Sequence, residues 1–313
     1  MELRPLGRSG LNTAPWAFGG NVFDWTADKE TSFALLDAFV DEGFSLIDTA
    51  DVYSAWAPGH RGGESESVIG EWFAARPGVR DKVLIATKLG MLPPNNGLKA
   101  GQIETAVEAS LKRLQTDRID LYQSHRDDPE TPLEESLAAF DRLKRSGKVR
   151  AIGASNYGAP RLREALKISA DKGLARYDSL QPAYNLMDRA IEAEIVPLCL
   201  EHDVGIITYS SLASGFLSGK YRSEADLGKS ARGGGVKKYL TDKGFAVLKA
   251  LDEISEAHGG KPAQVAAAWV MAKPGITAAI ASATSLDQMK DLAAAARLTL
   301  TTDDMAKLDK ASG

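Results

Sequence analysis

A single cysteine, Cys199, stands in 313 residues, so no internal disulfide can form. Its place in the apolar helical run VPLCL reads as core rather than nucleophile. Histidine is nearly as scarce: there are four. His60 lies in a glycine-rich loop, His202 at a helix end and His258 before a Gly-Gly stop, and none has a Cys, Asp or Glu partner at metal-ligand spacing. That pattern disfavours a metal-dependent hydrolase. An excess of one charge is also missing. Lys and Arg number 38 against 42 Asp and Glu, a net charge of -4, and the dispersed basic residues speak against a nucleic-acid surface. The one dense basic run, Lys144 to Arg150, straddles a predicted helix C-terminus, where cations favour the helix dipole. No apolar window is long enough to span a bilayer, and the opening MELRPLGRSG has no apolar stretch for secretion. A reducing cytoplasm is the expected setting. No G-x-G-x-x-G follows a strand, so a dinucleotide, if bound, is not held in the Rossmann manner.

What the chain does have is four polar residues at the ends of apolar, strand-like runs. Asp48 and Tyr53 belong to FSLIDTADVY, Lys88 to KVLIATK and His125 to IDLYQSH. Asp48, Lys88 and His125 recur about one strand-plus-helix unit apart, as consecutive βα units would place them. Between the last two lies a helical stripe of Ile103, Val107, Leu111 and Leu114, entered through a loop with Pro93, Pro94 and Gly97. The next helix is expected to start with Thr131 as N-cap, Pro132 at the first helical position and Glu134 at the third, a capping box. Its stripe is Leu133, Leu137, Phe140 and Leu143, and its stop Gly147.

Further strand-like runs occur at AFGG, VRAIGASN, SLQPAYN, GIITYSS and AAIASA. Eight strands alternating with helices predict a closed (β/α)8 barrel in one domain spanning residues 1–313, with decorations. One decoration is an amino-terminal hairpin, LRPLGRSGLNTA, turning at Arg8-Ser9-Gly10 and placed to plug the barrel floor. Another is an insertion after the seventh strand, a long polar loop from Leu212 to Leu240 followed by a capped helix bearing Phe245, Leu248 and Leu251. Loops of such length are usually functional or disordered. Thr301 to Ser312 reads as a terminal helix.

A tyrosine, a lysine, a carboxylate and an imidazole on one rim are the parts needed to move a proton onto a carbonyl oxygen. A tyrosine is a poor acid alone, with an ordinary pKa of about 10. An ammonium about 4 Å away, at an effective dielectric of about 20, interacts with the phenolate by roughly 4 kcal/mol. Lys88 would thus make Tyr53 a useful acid, Asp48 would hold Lys88 charged, and His125 would orient the carbonyl or relay a proton. Taken singly each residue has a structural explanation, as a packed rim tyrosine or a plain ion pair. Together, on the rim where such barrels place their chemistry, they read as a site.

With those pieces in place the whole chain resembles an aldo-keto reductase, a resemblance that extends to potassium-channel beta subunits. It is carried by LGRSGL, IDTADVY, GGESESVIGEW, ATK, DLYQSHRDD, GKVRAIGASNY, QPAYNLMDR, YSSLASGFLSGKY and SATSLDQ, in that order. The resemblance implies a barrel in which hydride passes from NADPH, with NADH as the alternative, to an aldehyde or ketone, with Tyr53 as acid and Lys88, Asp48 and His125 as its partners. It implies that Ser155, Asn156 and Gln181 meet the carboxamide and that Tyr209 stacks on the nicotinamide. Ser210, Leu212 and Gly215 would line the pyrophosphate. Lys220 and Arg232 would fold over the cofactor, and Thr284, Gln288 and Asp291 would contact the adenosine. Two departures stand out: Ser282 where many relatives have Gly, and Leu292 where they have Asn. No Arg or Lys lies within Ser282 to Gln288, so a 2′-phosphate must be gripped by Lys220, Arg232 and Thr284. Substrate identity depends on loop residues such as Trp25 and Trp56. Asp127, beside His125, would suit a polar, hydroxylated substrate. A carbonyl reductase or alcohol dehydrogenase is the first function class, and a cofactor-binding, redox-sensing partner subunit with little turnover the second.

Overall fold

The computed structural model of the protein describes residues 2–230 and 233–313, so Arg232 lies outside the described residues. The chain opens with an antiparallel hairpin, β1 (Arg4–Pro5) and β2 (Asn12–Thr13). Eight parallel strands follow: β3 (Trp16–Gly19), β4 (Leu46–Asp48), β5 (Leu84–Leu89), β6 (Ile119–Ser124), β7 (Val149–Ser155), β8 (Tyr177–Gln181), β9 (Gly205–Thr208) and β10 (Ile276–Ala281). Each pairs with the next, and β10 returns to β3, closing a barrel. The eight apolar runs of the sequence account for all eight.

Helices fill the crossovers: α1 (Lys29–Asp41), α2 (Glu64–Ala75), α3 (Ala100–Leu114), α4 (Leu133–Arg145), α5 (Ala159–Lys172) and α6 (Ile195–Glu201). The insertion supplies α7 (Asp242–Ala257) ahead of α8 (Pro262–Ala272), and α9 (Leu286–Ala295) and α10 (Thr302–Ser312) end the chain. The stripes read from the sequence face inward: Ile103, Val107, Leu111 and Leu114 on α3 and Leu133, Leu137, Phe140 and Leu143 on α4 are all buried. The start of α4 differs from expectation by one residue. Pro132 is the N-cap, and the Thr131 hydroxyl donates to Asp128 Oδ2 at 2.7 Å instead of capping the helix. The hydroxyl is a donor there, whereas a cap would need its oxygen as an acceptor. On α7, Leu248 and Leu251 are buried but Phe245 is an exposed apolar residue.

Two apolar clusters divide the interior. The larger lies between the strands and their helices, and includes Cys199, whose thiol burial pushes up to about 12. That thiol is a core group and not a nucleophile. The smaller fills the barrel itself: Ala17, Leu46, Ala86, Leu121, Ala151, Ile207, Ala278 and Ile280, closed from below by Leu6 and Leu11 of the hairpin. The hairpin is therefore the plug the sequence suggested. Gly7 makes this seating possible. It sits at φ 54°, and a Cβ there would collide with the carbonyl oxygen of Asp178.

The segment from Leu212 to Leu240 is not the plain polar loop its composition suggests. It winds through short 3₁₀ turns over Ala213–Ser218, Glu224–Lys229 and Gly233–Tyr239. Phe216, Leu217, Tyr221 and Val236 are fully buried and anchor it to the core. A few apolar side chains at wide spacing are enough to fix a segment that is otherwise polar.

Candidate active site

Alternation along a strand sends every second side chain inward. Two residues beyond the apolar layer of Leu46, Ala86 and Leu121, the same inward face carries Asp48, Lys88 and Gln123, all buried. The β5–β6 register sets Lys88 opposite Gln123, and the β7–β8 register sets Ser155 opposite Gln181. The barrel thus changes from apolar to polar toward the carboxyl ends of its strands.

Lys88 is wholly buried, and its ammonium has three partners: Asp48 Oδ2 at 2.7 Å, the Thr49 carbonyl oxygen at 2.8 Å and the Tyr53 hydroxyl oxygen at 2.8 Å. Three donors meet three acceptors, which suits the charged form. Burial lowers the lysine's proton affinity, and Asp48 opposes that. The Tyr53 hydroxyl donates to Asp48 Oδ2 at 3.2 Å, and the lysine nitrogen lies 4.6 Å from the centre of the tyrosine ring. The other Asp48 oxygen accepts from Gln181 Nε2 at 2.8 Å.

His125 lies just past β6, with its ring 6.0 Å from that of Tyr53. Burial, with Lys88 and Arg126 adding to it, lowers its pKa to about 3. The imidazole is therefore neutral near pH 7 and not a cation. The unfolded chain takes up a proton near pH 6.5, whereas the folded chain does not do so until about pH 3. Stability from this group is full above about pH 6.5 and is lost as the pH falls below it. His125→Asn should accordingly lose less stability than the parent between pH 7 and about pH 4, and urea denaturation at both values checks this.

The residues expected to receive a cofactor occupy the same rim. Asn156, at φ 60°, accepts from the Tyr209 hydroxyl at 2.7 Å and donates to the His125 carbonyl oxygen at 3.0 Å and to Ser155 Oγ at 3.1 Å. Ser155 Oγ in turn donates to the Gln181 carbonyl oxygen at 2.8 Å. The turn after β9 holds four residues in the left-handed region: Ser210 (57°), Ala213 (48°), Ser214 (58°) and Gly215 (93°). Three of them are not glycine, and backbone strain of this kind gathers at ligand clamps. Leu212, at φ -108°, lies among them. Lys220 stands beside Gly215, with its ammonium 5.2 Å from the ring centre of Tyr221. Amide and hydroxyl donors, a half-buried aromatic ring and a strained turn beside a lysine together suit a nicotinamide dinucleotide.

At the far side, the Thr284 backbone N–H and hydroxyl both donate to Gln288 Oε1, at 2.9 and 3.2 Å. Asp291, one turn further along α9, is held by Lys261 at 2.7 Å and Gln264 at 3.2 Å. Ser282 donates to Asn21 at 2.6 Å, and Leu292 is buried in the core. Trp25 and Trp56 meet edge to face at 5.5 Å, and the Trp56 ring lies 6.0 Å from Tyr53. Asp127 has a partner that the sequence does not show. Both of its oxygens accept from Arg161 of α5, at 3.0 and 2.9 Å. Sequence spacing cannot show such a partner, which sits a full βα unit away.

Three contributors went unremarked in the sequence: Gln123, Glu66 and Asp51. Glu66 is fully buried on α2, accepting from Thr87 at 2.5 Å and Arg113 at 2.7 Å. A glutamate at an inward position of an otherwise apolar helix stripe was the available signal. Among the described residues no cluster of His, Cys, Asp and Glu could hold a metal ion, and no helix is long and apolar enough to cross a membrane.

Residues 15–312 match the profile of the aldo/keto reductase family. The chain is 36% identical over 312 residues to the uncharacterized oxidoreductase YrpG of Bacillus subtilis (strain 168), covering 96% of this chain and 92% of that one. It is 33% identical over 310 residues to the aldo-keto reductase YhdN of the same organism, covering 96% and 88%. A probable voltage-gated potassium channel subunit beta of Oryza sativa subsp. japonica is 31% identical over 301 residues, covering 92% and 89%.

Proposed function

The chain belongs to the aldo/keto reductase family, and from that premise we propose that it is an NADPH-dependent reductase of a small aldehyde or ketone, or in reverse an alcohol dehydrogenase. The observation that carries this reading is the buried Lys88, bound at once to Asp48, the Thr49 carbonyl and Tyr53. Bound NADPH would supply the electron pair and hydrogen that reduce the carbonyl carbon. Tyr53 gives its proton to the carbonyl oxygen as negative charge develops there. Lys88 stabilises the phenolate left behind, Asp48 keeps the ammonium charged and in place, and Gln181 fixes Asp48. His125, neutral, orients the carbonyl. Ser155, Asn156 and Tyr209 would hold the nicotinamide end, Ser210, Leu212 and Gly215 the pyrophosphate, and Thr284, Gln288 and Asp291 the adenosine end. Trp25 and Trp56 would border the substrate.

The test is a panel of small aldehydes and ketones with NADPH and NADH, following cofactor oxidation. Turnover with NADPH supports the reading. Tight cofactor binding without turnover of any member favours a redox-sensing partner subunit instead; the rice relative is named as a channel subunit.

Cofactor choice is a separate expectation. Only NADPH brings a 2′-phosphate, and a charge-assisted hydrogen bond to it is worth about 1.5 to 3 kcal/mol. Lys220→Ala should therefore weaken NADPH by about tenfold or more while changing NADH little. Dissociation constants for both cofactors decide this, and equal losses would remove Lys220 from the phosphate.

A further inference from the structure

Asp51 lies between Asp48 and Tyr53 in the chain and is 3% exposed, yet the proton transfer above makes no use of it. Its backbone N–H donates to the Lys88 carbonyl oxygen at 3.0 Å, which ties it to the catalytic lysine's own strand. Around it stand Lys88 on β5, Glu66 on α2, Arg113 on α3 and Tyr122 on β6. Their commitments decide its state. The ammonium of Lys88 is divided among Asp48, Thr49 and Tyr53. Arg113 pairs with Glu66, whose other oxygen accepts from Thr87. The two cations are thus matched by Asp48 and Glu66, and an ionised Asp51 would be a third buried carboxylate with no cation of its own. Its Oδ1 and the Tyr122 hydroxyl are both buried with no hydrogen-bond partner among the described residues.

We propose that Asp51 is a positioning residue that tunes the Tyr53–Lys88 pair: neutral in the resting site, it becomes charged as the pH rises and so tightens the pair's hold on its proton. This rests on the reading of Tyr53 and Lys88 as proton donor and partner. Burial first, then Glu66, pushes the Asp51 carboxyl up to about 7, against the opposing pull of Arg113, the Val52 backbone N–H and Lys88. A new negative charge nearby stabilises the ammonium and destabilises the phenolate, so both effects act in the same direction.

Asp51→Asn fixes the neutral state with little change of shape. In carbonyl reduction, the pH at which activity falls on the alkaline side should move down by about one unit in the variant. Superimposable profiles would overturn the tuning. A second measurement needs no turnover. A carboxyl whose folded pKa is raised gives stability that is full below the unfolded value of about 3.8 and is lost as the pH rises to about 7. In urea the variant should gain stability relative to the parent across that window, and the difference should level off above it. A flat difference would overturn the resting proton. If the variant does not fold, titration of the Asp51 carboxyl carbon by NMR in the parent replaces it, and a midpoint below about 5 overturns the proposal. Failure of turnover in every protein, with the stability slope present, would count against the reductase reading while leaving the Asp51 proton in place.

Discussion

Tyr53→Phe should lower carbonyl reduction by about 10² to 10⁴-fold, the range contributed by a positioned acid. The change is narrow. The ring keeps its edge contacts with Trp56 and His125, both at 6.0 Å, and the lysine keeps a ring face to sit over. What disappears is the transferable proton and one of three acceptors of the Lys88 ammonium. NADPH affinity should change little, because the residues proposed to hold the cofactor are on later strands. The loss should therefore appear in kcat with the cofactor's dissociation constant nearly constant. Near-parental turnover would remove Tyr53 as the acid. Lys88→Met should be comparably inactive, but it also leaves Asp48 buried without its cation.

The largest effect on stability is expected at Asp120, on the outer face of β6. This carboxylate is 1% exposed and ties three elements together. It accepts from Arg80 at 2.8 Å and Arg150 at 2.7 Å, and from the Ile85 backbone N–H of β5 at 2.9 Å. Asp120→Ala would leave the charge of the largely buried Arg80 guanidinium without its carboxylate, leave a strand N–H unpaired and open a small void. Breaking a buried pair from one side costs about 3–5 kcal/mol, against a total stability of roughly 5–15 kcal/mol for a typical domain. Urea denaturation of parent and variant gives the difference. A loss under about 1 kcal/mol would mean that water replaces the carboxylate at little cost.

Period and position made much of this molecule legible in advance. Eight apolar runs bounded by turn residues gave the barrel, and the placement of Asp48, Lys88 and His125 at run ends put them on one rim. Partnerships were harder. Asp127 lies two residues past His125 in the chain, yet both its oxygens accept from Arg161, 34 residues on. The spacing of Thr131 to Glu134 fits a helix cap, but a carboxylate three residues earlier holds the Thr131 hydroxyl. The polar segment after β9 hid its order in Phe216, Leu217, Tyr221 and Val236, too widely spaced to show a period. Local pattern reports which face a side chain takes, whereas the pairing of charges depends on contacts that only the closed barrel creates.

The hairpin that corks the barrel also orders events during synthesis. Arg4 donates to the carbonyl oxygens of Met271, at 2.7 Å, and Ile276, at 3.2 Å, and the Thr277 hydroxyl reaches back to the Pro5 carbonyl oxygen at 3.3 Å. Residues of the hairpin are thus bound to residues made some 270 positions later. At about 5–20 residues per second, the ribosome needs on the order of 10 to 50 s to go from one to the other. Throughout that interval β3 waits for β10, and the apolar pair Leu6 and Leu11 stays exposed on a nascent chain with no barrel to enter.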